Sequence, residues 1–277
     1  MSGRAVNQRA AMLDLEFAEF SDRGLTREHN EDFIGHVLPT TPSQVHSQGW
    51  LFAIADGVGG QDAGEVASRM AIETVIDGFR RIPKGVMHAS LLPRLVQEAN
   101  ATVFLAGNKR QKHGSRMATT LVACALRFDS AVISHVGDSR CYLFRNNVGK
   151  ILTHDHTMAQ EQVRLGILSQ AEASVGENRH ILTRSLGNEQ YVAADTITVN
   201  VIPGDLILLC SDGLHTQIPD EEILRLVYGY SDLDTVASAL VRAANDAGGH
   251  DNVSVQIIRV GSVEQMGLYR GRPYRLL

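Results

Sequence analysis

Residues 51–68 read LFAIADGVGGQDAGEVAS, and the organisation of the chain follows from them. The apolar run from Leu51 to Ala55 has the length of a buried strand, and Asp56 ends it abruptly. Gly57, Gly59 and Gly60 follow, and helical periodicity begins near Gly64. Glycines directly after a strand let bare backbone approach a ligand with no Cβ in the way. A carboxylate beside such carbonyls suits a hard cation, although a solvated acid at an ordinary strand–turn–helix corner fits the same letters. The echo at Leu206–Cys210 tips the balance. That apolar run ends in Ser211-Asp212-Gly213-Leu214, so two strands each deliver Asp-Gly at their ends.

The bulk properties bound the function. With 277 residues, 44% of them hydrophobic and 21% charged, the chain can build one sizeable core. A net charge of −5 implies no general affinity for nucleic acid or an anionic membrane. Cys124, Cys141 and Cys210 lie in apolar strand-like runs without CxxC spacing. They read as reduced core residues of a cytosolic protein, against a disulfide framework or a zinc site. No apolar stretch reaches the length of a membrane span and no signal-peptide pattern opens the chain, so the expected compartment is the cytoplasm.

Taken in order, residues 1–12 read as a loose arm. Leu13, Leu15 and Phe17 alternate with acids, the period of a half-buried strand. A polar stretch, residues 21–32, leads into a second strand at Phe33-Ile34, and residues 36–49 read as a loop. Ile72, Val75, Ile76 and Phe79 share one helical face, as do Leu92, Leu95, Val96, Ala99 and Val103 on a second helix from about Ser90. Residues 108–116 form a basic loop with the character of a solvated surface. The period then changes to that of strands at residues 119–127, 131–136, 141–145 and 150–152. Thr157 and Gln160 start a helix reaching about Leu165. Residues 166–188 have weak periodicity and read as a mobile flap. A strand at 196–201, the buried run at Leu206–Cys210, helices near 219–228 and 233–247 and a last strand at 253–260 complete the pattern. No composition break marks a linker. A single α+β domain over residues 13–260 is expected, with residues 261–277 a frayed tail.

Asp56, Asp138, Asp212 and Asp251 each stand at a strand end, and Glu31-Asp32 just before a strand. Carboxylates converging from several strands repel one another unless cations lie between them. Oxygen ligands without clustered cysteine favour magnesium or manganese over zinc. Two such ions clamp a phosphoryl oxygen and activate water for in-line attack. Arg27 is the best-placed guanidinium to hold the remaining phosphate oxygens, though a lone loop arginine is more often solvated. His154 and His156 form an HxH pair with no evident third ligand, and read as structural.

Eight motifs in order resemble the metal-dependent Ser/Thr protein phosphatases of type 2C, in their bacterial branch. They are Ser21-Asp22-x-Gly24-x-x-Arg27-x-x-Asn30-Glu31-Asp32, Ala55-Asp56-Gly57-Val58-Gly59-Gly60, Thr119-Thr120-Leu121 and Val136-Gly137-Asp138-Ser139-Arg140. Leu152-Thr153-x-Asp155-His156-Thr157, Leu182-Thr183-Arg184-x-Leu186-Gly187, Cys210-Ser211-Asp212-Gly213-Leu214 and Asp251-Asn252-Val253-Ser254 follow. The resemblance implies a central sandwich of two mostly antiparallel β-sheets flanked by helix pairs, with a metal centre at one edge. It implies two tightly bound Mn²⁺ or Mg²⁺ ions bridged by Asp56, with Asp212 and Asp251 completing the first site. The Gly57 carbonyl, Glu31 and Asp32 would serve the second, and Asp138 with Asp212 a third, weaker ion. Arg27 would bind substrate phosphate. Water bridging the metals would attack phosphoserine or phosphothreonine on proteins, opposing a bacterial Ser/Thr kinase, and the enzyme would be a monomer.

Three positions depart from the family pattern. Val58 stands where the eukaryotic branch has a proton-donating His, so the leaving-group acid is open between His29 and metal-bound water. Ala118 replaces a usual Gly, and His180 a common Asn near the flap. Two alternatives remain on sequence alone: a catalytically weak phosphoprotein-binding module, or a phosphatase of small metabolites on the same fold. Every expected metal acid is present, which weighs against the first.

Overall fold

The computed structural model describes residues 12–58, 63–83, 85–110, 117–269 and 272–275. It begins with β1 (Asp14–Asp22), β2 (Asp32–Val37), α1 (Pro42–Ser47) and β3 (Trp50–Val58). Two long helices, α2 (Ala63–Arg80) and α3 (His88–Arg110), come next. A run of strands follows: β4 (Ala118–Thr119), β5 (Leu121–Arg127), β6 (Ser130–Val136), β7 (Arg140–Arg145) and β8 (Val148–Ile151). α4 (Met158–Arg164) leads into the flap, which holds α5 (Gln170–Val175) and a 3-10 turn at Glu177–His180. Then come β9 (Asp195–Asn200), β10 (Leu206–Cys210), α6 (Asp212–His215), α7 (Asp220–Gly229), α8 (Leu233–Asp246) and β11 (Val253–Ser262). A hairpin, β12 (Met266–Tyr269) and β13 (Arg272–Arg275), ends the description.

The strands build two antiparallel sheets. One has the order β1-β11-β10-β7-β8, the other β2-β3-β5-β6-β9, with β4 prolonging the pairing of β3. Side-chain alternation shows how they stack. On β3, Leu51, Ala53 and Ala55 pack under α2 and α3, while Trp50, Phe52 and Ile54 face the other sheet. On β10, Ile207 and Leu209 face inward, while Leu206, Leu208 and Cys210 pack under α7 and α8. The result is four layers, helix pair on sheet on sheet on helix pair, as the resemblance implies. Fully burying a side chain such as Phe52 or Ile207 contributes about 1.5–3 kcal/mol. The same alternation carries Asp56 onto the inter-sheet face, two residues beyond Ile54, where apolar filling stops. Asp32 lies opposite it in the β2–β3 register.

Four local features differ from the sequence expectation. The strand expected over 119–127 breaks at Thr120, whose backbone N–H donates to Asp56 O at 2.8 Å while its Oγ1 accepts from Asp56 N at 2.9 Å. The loop at 36–49 contains α1, begun by Thr41 as N-cap with Pro42 in the first turn. Within the flap, α5 starts with a capping box between Ser169 and Glu172. β11 runs past the expected end at 260 to Ser262, Glu264 is buried against His46 at 3.4 Å, and strand 266–269 pairs with 272–275. The arm at 1–11, Gly59, Gly60, the 111–116 part of the basic loop and Arg270 lie outside the described residues. Asn108–Arg110 belong to the last turn of α3. Among the described residues no helix is long and apolar enough to cross a membrane.

Candidate active site

The strand ends that the alternation points inward meet at one end of the sandwich. Asp56 comes from β3, Asp138 from the β6–β7 turn, Asp212 from the start of α6 and Asp251 from the segment before β11. With Arg27, Glu31 and Gly57 they line a cleft of about 610 Å³. Asp32 stands behind them, buried, with its Oδ2 accepting from Ser211 Oγ at 2.7 Å.

The charges crowd. Burial above all, and then the charges of Asp212 and Asp251, push the Asp32 carboxyl up to about 7 despite the Ser211 and Ser254 hydroxyls. Burial and then Asp32, Asp212 and Asp138 hold Asp56 well above the usual carboxylate range. Asp138 is raised by burial and then by Asp212, and Asp212 itself is pushed to about 6 by burial and then Asp251. Left to themselves these groups retain protons, because their negative charges lack compensation.

The donor set fits divalent ions of the Mn²⁺ or Mg²⁺ kind. Asp32 Oδ1 and Asp212 Oδ1 are buried with no hydrogen-bond partner among the described residues. Gly57 is pressed against neighbouring backbone: a Cβ there would lie 2.3 Å from Gly64 O and 2.7 Å from Glu31 O. A Cβ on Gly64 would in turn lie 2.8 Å from the Glu31 carboxylate, so Glu31 and the Gly57 backbone share one corner. All these donors are oxygens, as hard cations require.

A polar frame holds the acids in place. Thr119 Oγ1 donates to Asp56 O at 2.8 Å, and Thr120 Oγ1 also meets Ser139 Oγ at 2.7 Å, tying Asp56 to the Asp138 turn. Asn252 Oδ1 accepts from Glu31 N, while its Nδ2 donates to Arg23 O and His29 O. One amide thereby fixes the loop that carries Arg27 and Glu31. Arg27 lies on the cleft rim with its side chain 49% exposed, and donates to Asp251 Oδ2 at 2.7 Å.

The sequence reading missed several residues. Arg179 and His250 line the cleft beside His180, the flap position already singled out, whereas His29 is exposed and does not. Val58 lines it too, with no titratable group where the eukaryotic branch has its donor. Asp155 is spent on Arg140, 2.7 Å away, and that bond holds its carboxyl low against the effect of burial. His154 is exposed and His156 buried, so the two do not act as a ligand pair. The three cysteines are buried and unpaired.

Known proteins match this chain over most of its length. The family model described as Protein phosphatase 2C matches residues 26–252. The serine/threonine phosphatase stp of Listeria innocua is 36% identical, over 87% of this chain and 94% of that protein. Among solved structures, the Mycobacterium tuberculosis serine/threonine phosphatase PstP/Ppp superposes with a TM-score of 0.79 at 31% identity, covering 90% of this chain and 100% of that one. A structure of the PstP catalytic domain in complex with two manganese ions gives 0.77 at 32% identity, over 91% of this chain and 100% of that one.

Proposed function

Because the chain belongs to the protein phosphatase 2C family and is a metal-dependent serine/threonine phosphatase, we propose that it removes phosphate from phosphoserine and phosphothreonine on proteins. Asp56 would serve two Mn²⁺ or Mg²⁺ sites at once. Asp212 and Asp251 would complete the first, and the Gly57 carbonyl, Glu31 and Asp32 would serve the second. Asp138, with Asp212, would hold a third and weaker one. Bound divalent ions supply Lewis acidity and activation of water for phosphoryl transfer.

The chain's own residues do the rest. The acids present ionised oxygens toward the cleft when their charge is compensated, and Thr119, Thr120 and Asn252 keep them from relaxing apart. Arg27, on the rim, forks onto phosphate oxygens once Asp251 is neutralised from the cleft side. The flap at 166–188, carrying Arg179 and His180, bounds the entrance and shapes access. No cysteine takes part.

One observation above all supports this reading: five aspartates from separate elements converge, and two of them keep buried oxygens without a partner among the described residues. The same completeness of acids disfavours a non-catalytic binding module. The substrates are phosphorylated proteins, including a cognate Ser/Thr kinase or its targets, met by a monomer in the cytoplasm. Turnover of a phosphothreonine peptide beside a phosphotyrosine peptide, with Mn²⁺ and with chelator, tests the proposal. Metal-dependent cleavage of the first alone is expected; equal cleavage of both, or turnover in chelator, would refute it.

A further inference from the structure

Behind the cleft, ring nitrogens of His135 and His156 and the Asp195 carboxylate come within 4.8 Å of one another, which resembles a metal site. The hydrogen bonds argue otherwise. Gly137 N–H donates to His156 Nδ1 at 3.1 Å, so the lone pair on that nitrogen is used. Burial, and then His135 and Arg184, lower His156 to about 4, so the ring is neutral at neutral pH. Because Nδ1 accepts, the one proton sits on Nε2, which lies 3.4 Å from Asp195 Oδ2 and 3.2 Å from Arg184 Nη1 and keeps no lone pair for a cation. The Arg184 guanidinium already meets Asp195 Oδ1 at 2.8 Å and takes the cation's place.

What His156 does is grip one glycine from both sides. Its backbone N–H donates to Gly137 O at 3.0 Å, while Nδ1 accepts from Gly137 N. Gly137 has φ +104°, and a Cβ there would lie 2.6 Å from the Thr120 side chain, so this turn tolerates no other residue. The next residue is Asp138, whose carbonyl meets His215 Nε2 at 3.0 Å from the far side. The His156 carbonyl accepts from Thr183 N at 2.8 Å, and Thr157 bridges Leu182, so the returning arm of the flap hangs on the same point.

We propose that His156 is a positioning residue: through Nδ1 and its backbone it fixes the Gly137–Asp138 turn, aims the Asp138 carboxylate at the third-ion position and ties that position to the flap. The inference rests on the assignment of Asp138 made above. Losing the Nδ1 acceptor leaves a buried N–H unpaired, and the turn relieves it by rotating and taking Asp138 with it.

Two substitutions separate the two ring nitrogens. In His156→Asn the side-chain Oδ1 reaches the Nδ1 position and still accepts from Gly137. His156→Gln extends instead toward Asp195 and leaves Gly137 N–H bare. Mn²⁺ titration calorimetry on the full chain, with Asp138→Ala alongside, reads the result, and ¹⁵N imidazole NMR of the wild type reads the tautomer independently of metal. We expect His156→Gln to weaken the third binding event about tenfold or more while leaving the two tight ones. His156→Asn should keep all three, and wild-type His156 should be the Nε2–H tautomer. An unchanged weak event in His156→Gln when Asp138→Ala has lost it overturns the clamp alone. So does equal loss in both His156 variants, or an Nδ1–H tautomer. A weak event that survives Asp138→Ala removes the assignment of Asp138, and the clamp with it.

Discussion

Asp32→Asn probes the crowding of charge at the centre with no metal present. The Asp32 carboxyl is pushed from an ordinary 3.8 to about 7, chiefly by burial and then by Asp212 and Asp251. A carboxyl raised in the fold gives stability that is full below its unfolded value and is lost as pH rises through its folded value. Between about pH 5.5 and pH 8 that loss amounts to about 2 kcal/mol in the metal-free protein. Histidines work in the opposite direction. Burial lowers His88, His156 and His215 to about 4, so they cost stability as pH falls through their unfolded value. They mask the wild-type curve but cancel in the difference between variant and wild type. Any fixed cost of placing an amide against Ser211 cancels likewise. Urea unfolding in EDTA at the two pH values should therefore show Asp32→Asn gaining about 2 kcal/mol on the wild type at the higher pH. Relief of Asp56, for which Asp32 is the largest influence after burial itself, adds in the same direction. An unchanged difference, or a variant that loses ground at pH 8, would refute the electrostatic picture.

Three other perturbations follow from the same geometry. Arg27→Ala removes a charge-assisted contact worth about 1.5–3 kcal/mol, so kcat/KM on a phosphopeptide should fall about ten- to hundredfold with Mn²⁺ affinity nearly unchanged; wild-type kinetics would return Arg27 to the solvated surface. Gly57→Ala sets a Cβ 2.3 Å from Gly64 O, where only backbone can yield, and should cost about 1–3 kcal/mol in thermal unfolding and weaken Mn²⁺ binding. A variant that melts and binds like wild type would show the corner to be slack. Alkylation of the native protein should leave activity intact, since Cys124, Cys141 and Cys210 are buried and burial pushes the Cys124 thiol up to about 12; rapid inactivation without unfolding would point to a cysteine mechanism.

The α+β class was legible in strand-length apolar runs and helical faces, the sandwich only through the resemblance of the ordered motifs. The side-chain alternation that stacks the two sheets shows in the structure. Phe52 and Ile54 face one way and Leu51 and Ala53 the other, and the same count along β3 turns Asp56 inward. The Asp-Gly echo at Asp212 was legible because an apolar strand that stops at an acid is costly unless the acid is used. What stayed hidden depends on distant partners. Arg27 meets Asp251 across 224 positions, and no local pattern announces that contact. Thr120 breaks a strand that its own propensity favours, because two bonds to the Asp56 backbone outweigh a continuous ladder. His156 looked like half of an HxH pair, yet its partner is Gly137, and the bond involves a ring nitrogen that sequence spacing cannot orient. In α1 and α5 the signals were present in Thr41-Pro42 and Ser169–Glu172, but the helices are six residues each and too short for periodicity to reveal.

The most direct test of the metal centre is the number of Mn²⁺ ions taken up by chelator-stripped wild type and by Asp56→Asn, counted by titration calorimetry. Two tight ions are expected in the wild type and none in the variant, because one carboxylate serves both sites. Two tight ions retained in Asp56→Asn would place Asp56 outside the centre and contradict its bridging role.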